Sequence, residues 1–257
     1  LTQELSTACA SMETAVAWWR ADGTYESAIN GLAGVSEGLT SFSTGRVGAG
    51  SFRFTGSNAV VVADSPLLDL TAAEPFVLEG WFRTPVSAHP LLTLVSKQQR
   101  SGPVTTGYAL RLSQGILQLV LDDGQSATVL HDLPSQDLRD GRWHHFMVGK
   151  DRQNTLAAWV DGRMVIGGGA IPLTGNHAND AALRIGDDGD GAVDAAWVGE
   201  IDEIVMYRSP LLGTRATAAY RAGAHGHCAS ELTFHPVQPR FEPFASNWVA
   251  RDNGVVG

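Results

Sequence analysis

Residues 197–207, read as W-V-G-E-I-D-E-I-V-M-Y, hold the tightest group of side chains that could do chemistry in this 257-residue chain. Glu200, Asp202 and Glu203 lie among Val198, Ile201, Ile204 and Val205, in a run rich in strand formers. Acids in a strand bound for a core face solvent, hold a cation, or do acid–base chemistry. A sugar-cleaving strand sets two carboxylates about 5 Å apart on one face, at even offsets. Glu200 and Asp202 meet that spacing. Glu203 falls at an odd offset, which on a regular strand turns it to the opposite face. Ile204 and Val205 follow, so the second catalytic carboxylate is missing and glycoside hydrolysis by this route is disfavoured. Asp202 is left as a calcium ligand, a hydrogen-bond anchor or a solvated acid.

Other groups carry weaker signals. Asp187, Asp188 and Asp190 alternate with Gly189 and Gly191, and Asp194 follows. Without a distal Glu at EF-hand spacing, this is a solvated loop or a weak second cation site. His144 and His145 are adjacent, so on a strand they face opposite ways and cannot share a metal; a structural role is expected. Asp22-Gly23 is a turn or part of a cation site. No Ser–His–Asp spacing is legible. Trp18, Trp19, Trp81, Trp143 and Trp159 sit in strand patterns and read as framework. Trp197 and Trp248 are the remaining aromatic contacts for a ligand.

The elements that must position these groups are short strands. Strand patterns run at 15–20, 51–54, 59–63, 76–84, 91–97, 108–112, 116–121, 125–131, 143–150, 156–160, 163–166 and 183–186. Asp161-Gly162 is the clearest two-residue hairpin turn, and Asp122-Asp123-Gly124 is another turn signal. Residues 21–50 read as irregular, rich in Gly and Ser. Only 214–222 reads as helix, with Thr214 as cap. A dozen strands and almost no helix predict an all-β, two-sheet antiparallel sandwich.

The formal net charge of −9 argues against nucleic acid and anionic membrane as partners, and no apolar run spans a bilayer. The chain opens on Leu1 with no basic-plus-apolar leader, and so reads as a processed form, an excised piece or part of something larger. Cys9 and Cys228 are too far apart to resemble a zinc site. They form a disulfide joining the ends of the folded unit, or they stay as two buried thiols. A disulfide places the chain outside the cytoplasm, secreted or on a cell surface.

In order along the chain, these motifs resemble the laminin G-like, concanavalin A-like jelly roll of bacterial secreted and surface proteins. Residues 16–23, V-A-W-W-R-A-D-G, resemble its opening W-W-x-[AG]-[DE]-G. Gly45, Gly48 and 51–56, S-F-R-F-T-G, resemble G-x-x-G-x-A-F-x-F-D-G. Residues 60–65 resemble V-x-V-P-x-S, and 76–82 resemble F-T-I-E-A-W-I. Residues 140–145 resemble D-G-x-W-H-H, 159–162 resemble Y-V-D-G, 199–204 resemble G-x-I-D-E-V, and 226–228 match the closing G-x-C.

The resemblance implies a jelly roll over 9–229, preceded by a lead-in at 1–8. It also implies the Cys9–Cys228 bridge, and a structural Ca²⁺ held by Asp202 with groups of the loop after the tryptophan pair, Asp22 and Asn30. Ser27 stands where members often carry Asp, and Thr55 replaces the Asp of F-x-F-D-G. Backbone carbonyls and the Asn30 amide oxygen can take the missing carboxylate's part. Residues 230–257 hold Pro236, Pro239 and Pro243 among Phe234, Phe241, Phe244 and Trp248, and read as an extended arm or the start of another module. The expected function is a noncatalytic binding or adhesion module for carbohydrate or a protein surface. The alternative is a structural subunit or spacer that makes contacts through that arm.

Overall fold

The computed structural model describes residues 9–86, 89–124, 129–133, 135–170, 177–189, 195–210 and 213–228. The lead-in, the 230–257 arm, Asp190, Asp194 and Trp248 lie outside them. In chain order, β1 (Ala15–Trp19), β2 (Gly34–Glu37), β3 (Ser41–Ser43), β4 (Ser51–Thr55) and β5 (Ala59–Val62) open the fold. Then come β6 (Phe76–Arg83), β7 (Leu91–Ser101), β8 (Val104–Ser113), β9 (Ile116–Asp123) and β10 (Val129–Leu133). β11 (His144–Lys150), β12 (Thr155–Val160), β13 (Arg163–Ala170), β14 (Leu183–Ile185) and β15 (Val198–Tyr207) complete the strands, and α1 (Gly213–Ala222) follows.

Two antiparallel sheets face each other. One runs β13-β12-β11-β6-β15-β4-β3 with β1 added on β15; the other runs β10-β9-β8-β7-β14-β5-β2. Strand alternation builds the core between them. On β6, Phe76, Leu78 and Phe82 point inward, while Val77, Glu79 and Trp81 take the outer face. Gly80 leaves room for its neighbours: a Cβ there would lie 2.6 Å from Ile204 Cδ1. The outer face of the first sheet is not bare. Trp18, Val77, Met147, Trp159, Val205 and Tyr207 pack against Ala216, Ala219 and Ala222 of α1 as a second, smaller core. Alanines on that side of the helix let it lie close to the sheet.

The hairpin at Asp161-Gly162 forms as expected, both residues having positive φ (50° and 71°). Cys9 and Cys228 are joined in a disulfide. One expectation about the strands of the opening segment fails. The stretch read as irregular contains β2 and β3, which are outermost in their sheets. Three of four β2 residues are exposed, so no inward–outward alternation marks the strand.

Candidate functional site

β15 is the strand that positions the acidic triplet. β6 pairs along one edge. Along the other edge, β4 pairs with residues 198–201 and β1 with residues 204–207. On that edge between them, at Asp202 and Glu203, no strand of the described residues lies alongside. The register with β6 also shifts there, and Glu203 has φ 54°. This is a β-bulge. Its effect is visible on either side: Ile201 and Ile204 both enter the inter-sheet core. Asp202 and Glu203 therefore both face outward. The odd-offset expectation for Glu203 is wrong because it assumed a regular strand.

Each acid of the triplet is engaged by the fold. Glu200 accepts from Arg83 Nε at 3.1 Å. Asp202 is fully buried, and its Oδ2 accepts the backbone N–H groups of Arg46 (2.8 Å) and Val47 (3.0 Å). Glu203 Oε2 accepts from Trp18 Nε1 at 3.0 Å. Asp202 thus anchors the loop at residues 44–50, not the loop at residues 22–30. Asp22 holds the far end of that same loop, its Oδ1 accepting from Ala49 N (2.6 Å) and Gly50 N (3.0 Å). Its Oδ2 pairs with Arg20 at 2.7 Å. Arg46, carried by this loop, lies over the Trp81 ring at 4.8 Å. Asn30 lies apart from both acids. Its amide donates to the Val16 carbonyl, toward the start of β1, whereas Asp22 follows the end of β1. Ser27, where a family carboxylate was expected, accepts from Trp18 N at 2.9 Å and donates to the Ile29 carbonyl at 2.7 Å.

The electrostatics isolate two groups. Burial, with repulsion from Glu203 and Asp22, pushes the Asp202 carboxyl up to about 8 despite its two N–H donors. Burial likewise raises Glu203 to about 7, against the pull of His227 and the Trp18 N–H. Asp202 Oδ1 and Glu203 Oε1 are buried and without a hydrogen-bond partner. Adjacent buried carboxyls of this kind hold protons or a cation. Among the described residues, no group of three or more His, Cys, Asp or Glu is arranged to hold a metal. The oxygens of Asp22 are already engaged. The oxygens that remain open to a cation are therefore those of Asp202 and Glu203.

Two histidine networks flank this region. Glu79 is buried, with Oε1 3.1 Å from His145 Nε2 and 3.2 Å from His227 Nε2. Its Oε2 accepts from the Tyr207 hydroxyl at 2.7 Å. Burial works to raise Glu79, but the two histidines outweigh it and hold the carboxyl well below its usual range. Burial works to lower His227, and Glu79 reverses this, so its pKa is raised. His144 sits between Asp161 (Nδ1–Oδ2, 2.8 Å) and Asp140 (Nε2–Oδ1, 3.0 Å). The two histidines do face opposite ways: His144 packs by Phe82 in the core and His145 by Trp81 on the outer face. Glu79 and His227 were missed in the sequence. The E of F-x-x-E-x-W and the His of the closing G-x-C were visible, but nothing links positions so far apart.

In the Gly-Asp loop, Asp187 pairs with Arg184 and Asp188 with Arg100. The outer face of the second sheet carries polar ladders. Arg111 donates to Gln118, which donates to Asp132, and Gln98 donates to Asp122. Trp197 is a core residue with no exposure.

Two facing antiparallel sheets, with a helix on one outer face and the ends bridged, define a jelly-roll domain. The laminin G-type model of the concanavalin A-like lectin/glucanases superfamily matches residues 54–215, more than half of the sequence, and the chain belongs to that family. No curated protein sequence matches it. Among solved structures, the binding domain of Paraclostridial Mosquitocidal Protein 1 is similar at TM-score 0.65 and 12% identity, covering 81% of this chain and 52% of that one. Domain 4 of a GH43 extracellular arabinanase from Geobacillus stearothermophilus, in complex with arabinotriose, is similar at TM-score 0.61 and 14% identity, covering 82% and 98%. The binding domain of botulinum neurotoxin DC, in complex with rat synaptotagmin II, is similar at TM-score 0.62 and 10% identity, covering 82% and 52%. This chain spans about half the length of the toxin binding domains and nearly all of the arabinanase domain. At these identities the likeness shows the fold.

Proposed function

We propose that this chain is a noncatalytic binding module, secreted or displayed at a cell surface, that recognises carbohydrate or a protein surface. The observation that carries this is the engagement of the whole acidic triplet. Glu200 is paired with arginine, Asp202 with backbone N–H groups and Glu203 with an indole, so the triplet does not present a pair of free carboxylates to a cleft. Structurally similar domains include binding domains that carry arabinotriose and synaptotagmin as ligands, which supports a recognition role. The disulfide supports an extracytoplasmic setting. No helix of the described residues is long and apolar enough to cross a membrane.

The proposal includes a structural Ca²⁺ on Asp202 and Glu203, whose open buried oxygens it would neutralise. A bound cation would stiffen the bulge and the 44–50 loop and take no part in bond making. The test is a glycan array with hydrolysis monitored, run with calcium and with chelator, alongside thermal melts of wild type and Asp202→Asn. Binding without hydrolysis supports the module. Calcium should raise the melting temperature of wild type and not of Asp202→Asn; an equal rise in both removes calcium from that site. Release of reducing sugar by the wild type removes the noncatalytic assignment.

A further inference from the structure

One row of side chains on the first sheet is not explained by folding alone. Arg53 on β4 and Arg83 on β6 lie in register on either side of Glu200 on β15. Arg83 Nε donates to Glu200 Oε2 at 3.1 Å, and Arg53 Nη1 stands 3.9 Å from Glu200 Oε1. The row ends at Trp143, whose ring lies 5.1 Å under the Arg83 guanidinium. Two cations therefore share one anion. Among the described residues, Arg53 Nε and Nη2 and Arg83 Nη1 and Nη2 have no partner.

Both arginines line an open cavity of about 430 Å³, with Thr55, Pro85, Gly141 and Gly199 around it. The Arg53 side chain is 55% exposed and that of Arg83 34%. Gly199 keeps the rim tight, because β15 approaches the Arg83 carbonyl so closely that a side chain would collide with it. In a chain of net charge −9, a surface cavity with a local excess of one positive charge is a selective feature. General attraction of polyanions would not arise from the rest of the surface.

We propose that this cavity is a ligand subsite for a carboxylate-bearing saccharide, resting on the binding-module function above. Guanidinium forks match a carboxylate in two-point contacts. A single incoming carboxylate would bring the row to two cations and two anions. The Arg83–Trp143 stack holds one fork in place from outside the cavity. Glu200 opposes the incoming anion while it orients both arginines, which sets a moderate affinity.

The test is affinity electrophoresis of the whole chain through gels containing polygalacturonate, dextran sulfate or pullulan, with melting temperatures as a folding control. Polygalacturonate should retard the wild type and pullulan should not. Arg53→Gln, at an exposed position, should weaken the polygalacturonate interaction about tenfold at unchanged melting temperature. Glu200→Gln should strengthen it, provided it melts as wild type does. Unchanged retardation of Arg53→Gln overturns the subsite, as does retardation by dextran sulfate without polygalacturonate. Binding of neutral glycans that is insensitive to Arg53→Gln, with no polygalacturonate retardation, also overturns it but leaves the module standing. Absence of binding to every glycan and protein probe removes both.

Discussion

Replacing Glu79 should expose how the closing segment is held. Its carboxylate is 1% exposed and accepts hydrogen bonds from His145, His227 and Tyr207. Glu79→Ala strands three buried donors and leaves imidazole charge without a partner. Breaking a buried pair in this way costs about 3–5 kcal/mol. At about 2–4 °C per kcal/mol for a domain of this size, the melting temperature should fall by roughly 6–20 °C. Glu79→Gln keeps the shape and removes the charge, so it reports on the pH dependence. His227 has a raised pKa in the fold, so its contribution is fully present below its ordinary 6.5 and is lost as pH rises through the raised value. Glu79 has a lowered pKa, so its contribution is present above 4.5 and is lost as pH falls below that. The gap in melting temperature between wild type and Glu79→Gln should therefore be widest between pH 4.5 and 6.5 and shrink in alkali. Calorimetry from pH 4 to 9 reads both effects. A loss under about 3 °C for Glu79→Ala, or a gap that is flat with pH, would refute the ion-pair account.

Two further outcomes are expected. Reducing Cys9–Cys228, which closes a separation of 219 residues, should cost up to about 5 kcal/mol on the chain-entropy view, seen as a lower melting temperature in dithiothreitol. A Cys9→Ser/Cys228→Ser pair that melts with the oxidised wild type would contradict it. His144 has a raised pKa because Asp161 and Asp140 outweigh the cost of its burial. Its stabilisation, about 1–2 kcal/mol, should be complete below pH 6.5 and fade above it. His144→Gln should thus lose melting temperature at pH 6 and approach wild type at pH 9; equal losses at both would show that the imidazole acts as a neutral spacer.

The sequence showed the sandwich well wherever a strand has one wet and one dry face. β6 and the Asp161-Gly162 hairpin were legible because pleat period and turn chemistry leave local marks. β2 was not, because an exposed outermost strand with Gly34 and Ser36 lacks alternation. Half of the site followed the same rule. Glu200 and Asp202 share a face as their spacing says. Glu203 broke it through one residue at positive φ, a conformation that a glutamate does not advertise as a glycine would. The loop that Asp202 and Asp22 hold did leave a trace in Gly45, Gly48 and Gly50, each of which has backbone or Asp22 where a Cβ would go. Long-range pairs such as Glu79 with His227 leave none, because the fold alone brings them together.

The disulfide has a mechanical consequence. It joins the ninth residue to the 228th with Cα atoms 4.9 Å apart. Tension applied through segments outside these residues would pass from one sulfur to the other and bypass both sheets. Under load the sandwich would hang from the line of force as a slack side loop, its strands unstretched while the bridge holds. A reductant would shift that load onto the Ala10–His227 bridge, and behind it onto β1 from one end and α1 from the other. Single-molecule pulling on the two ends, with and without reductant, would read this as the appearance of about 220 residues of extra contour length.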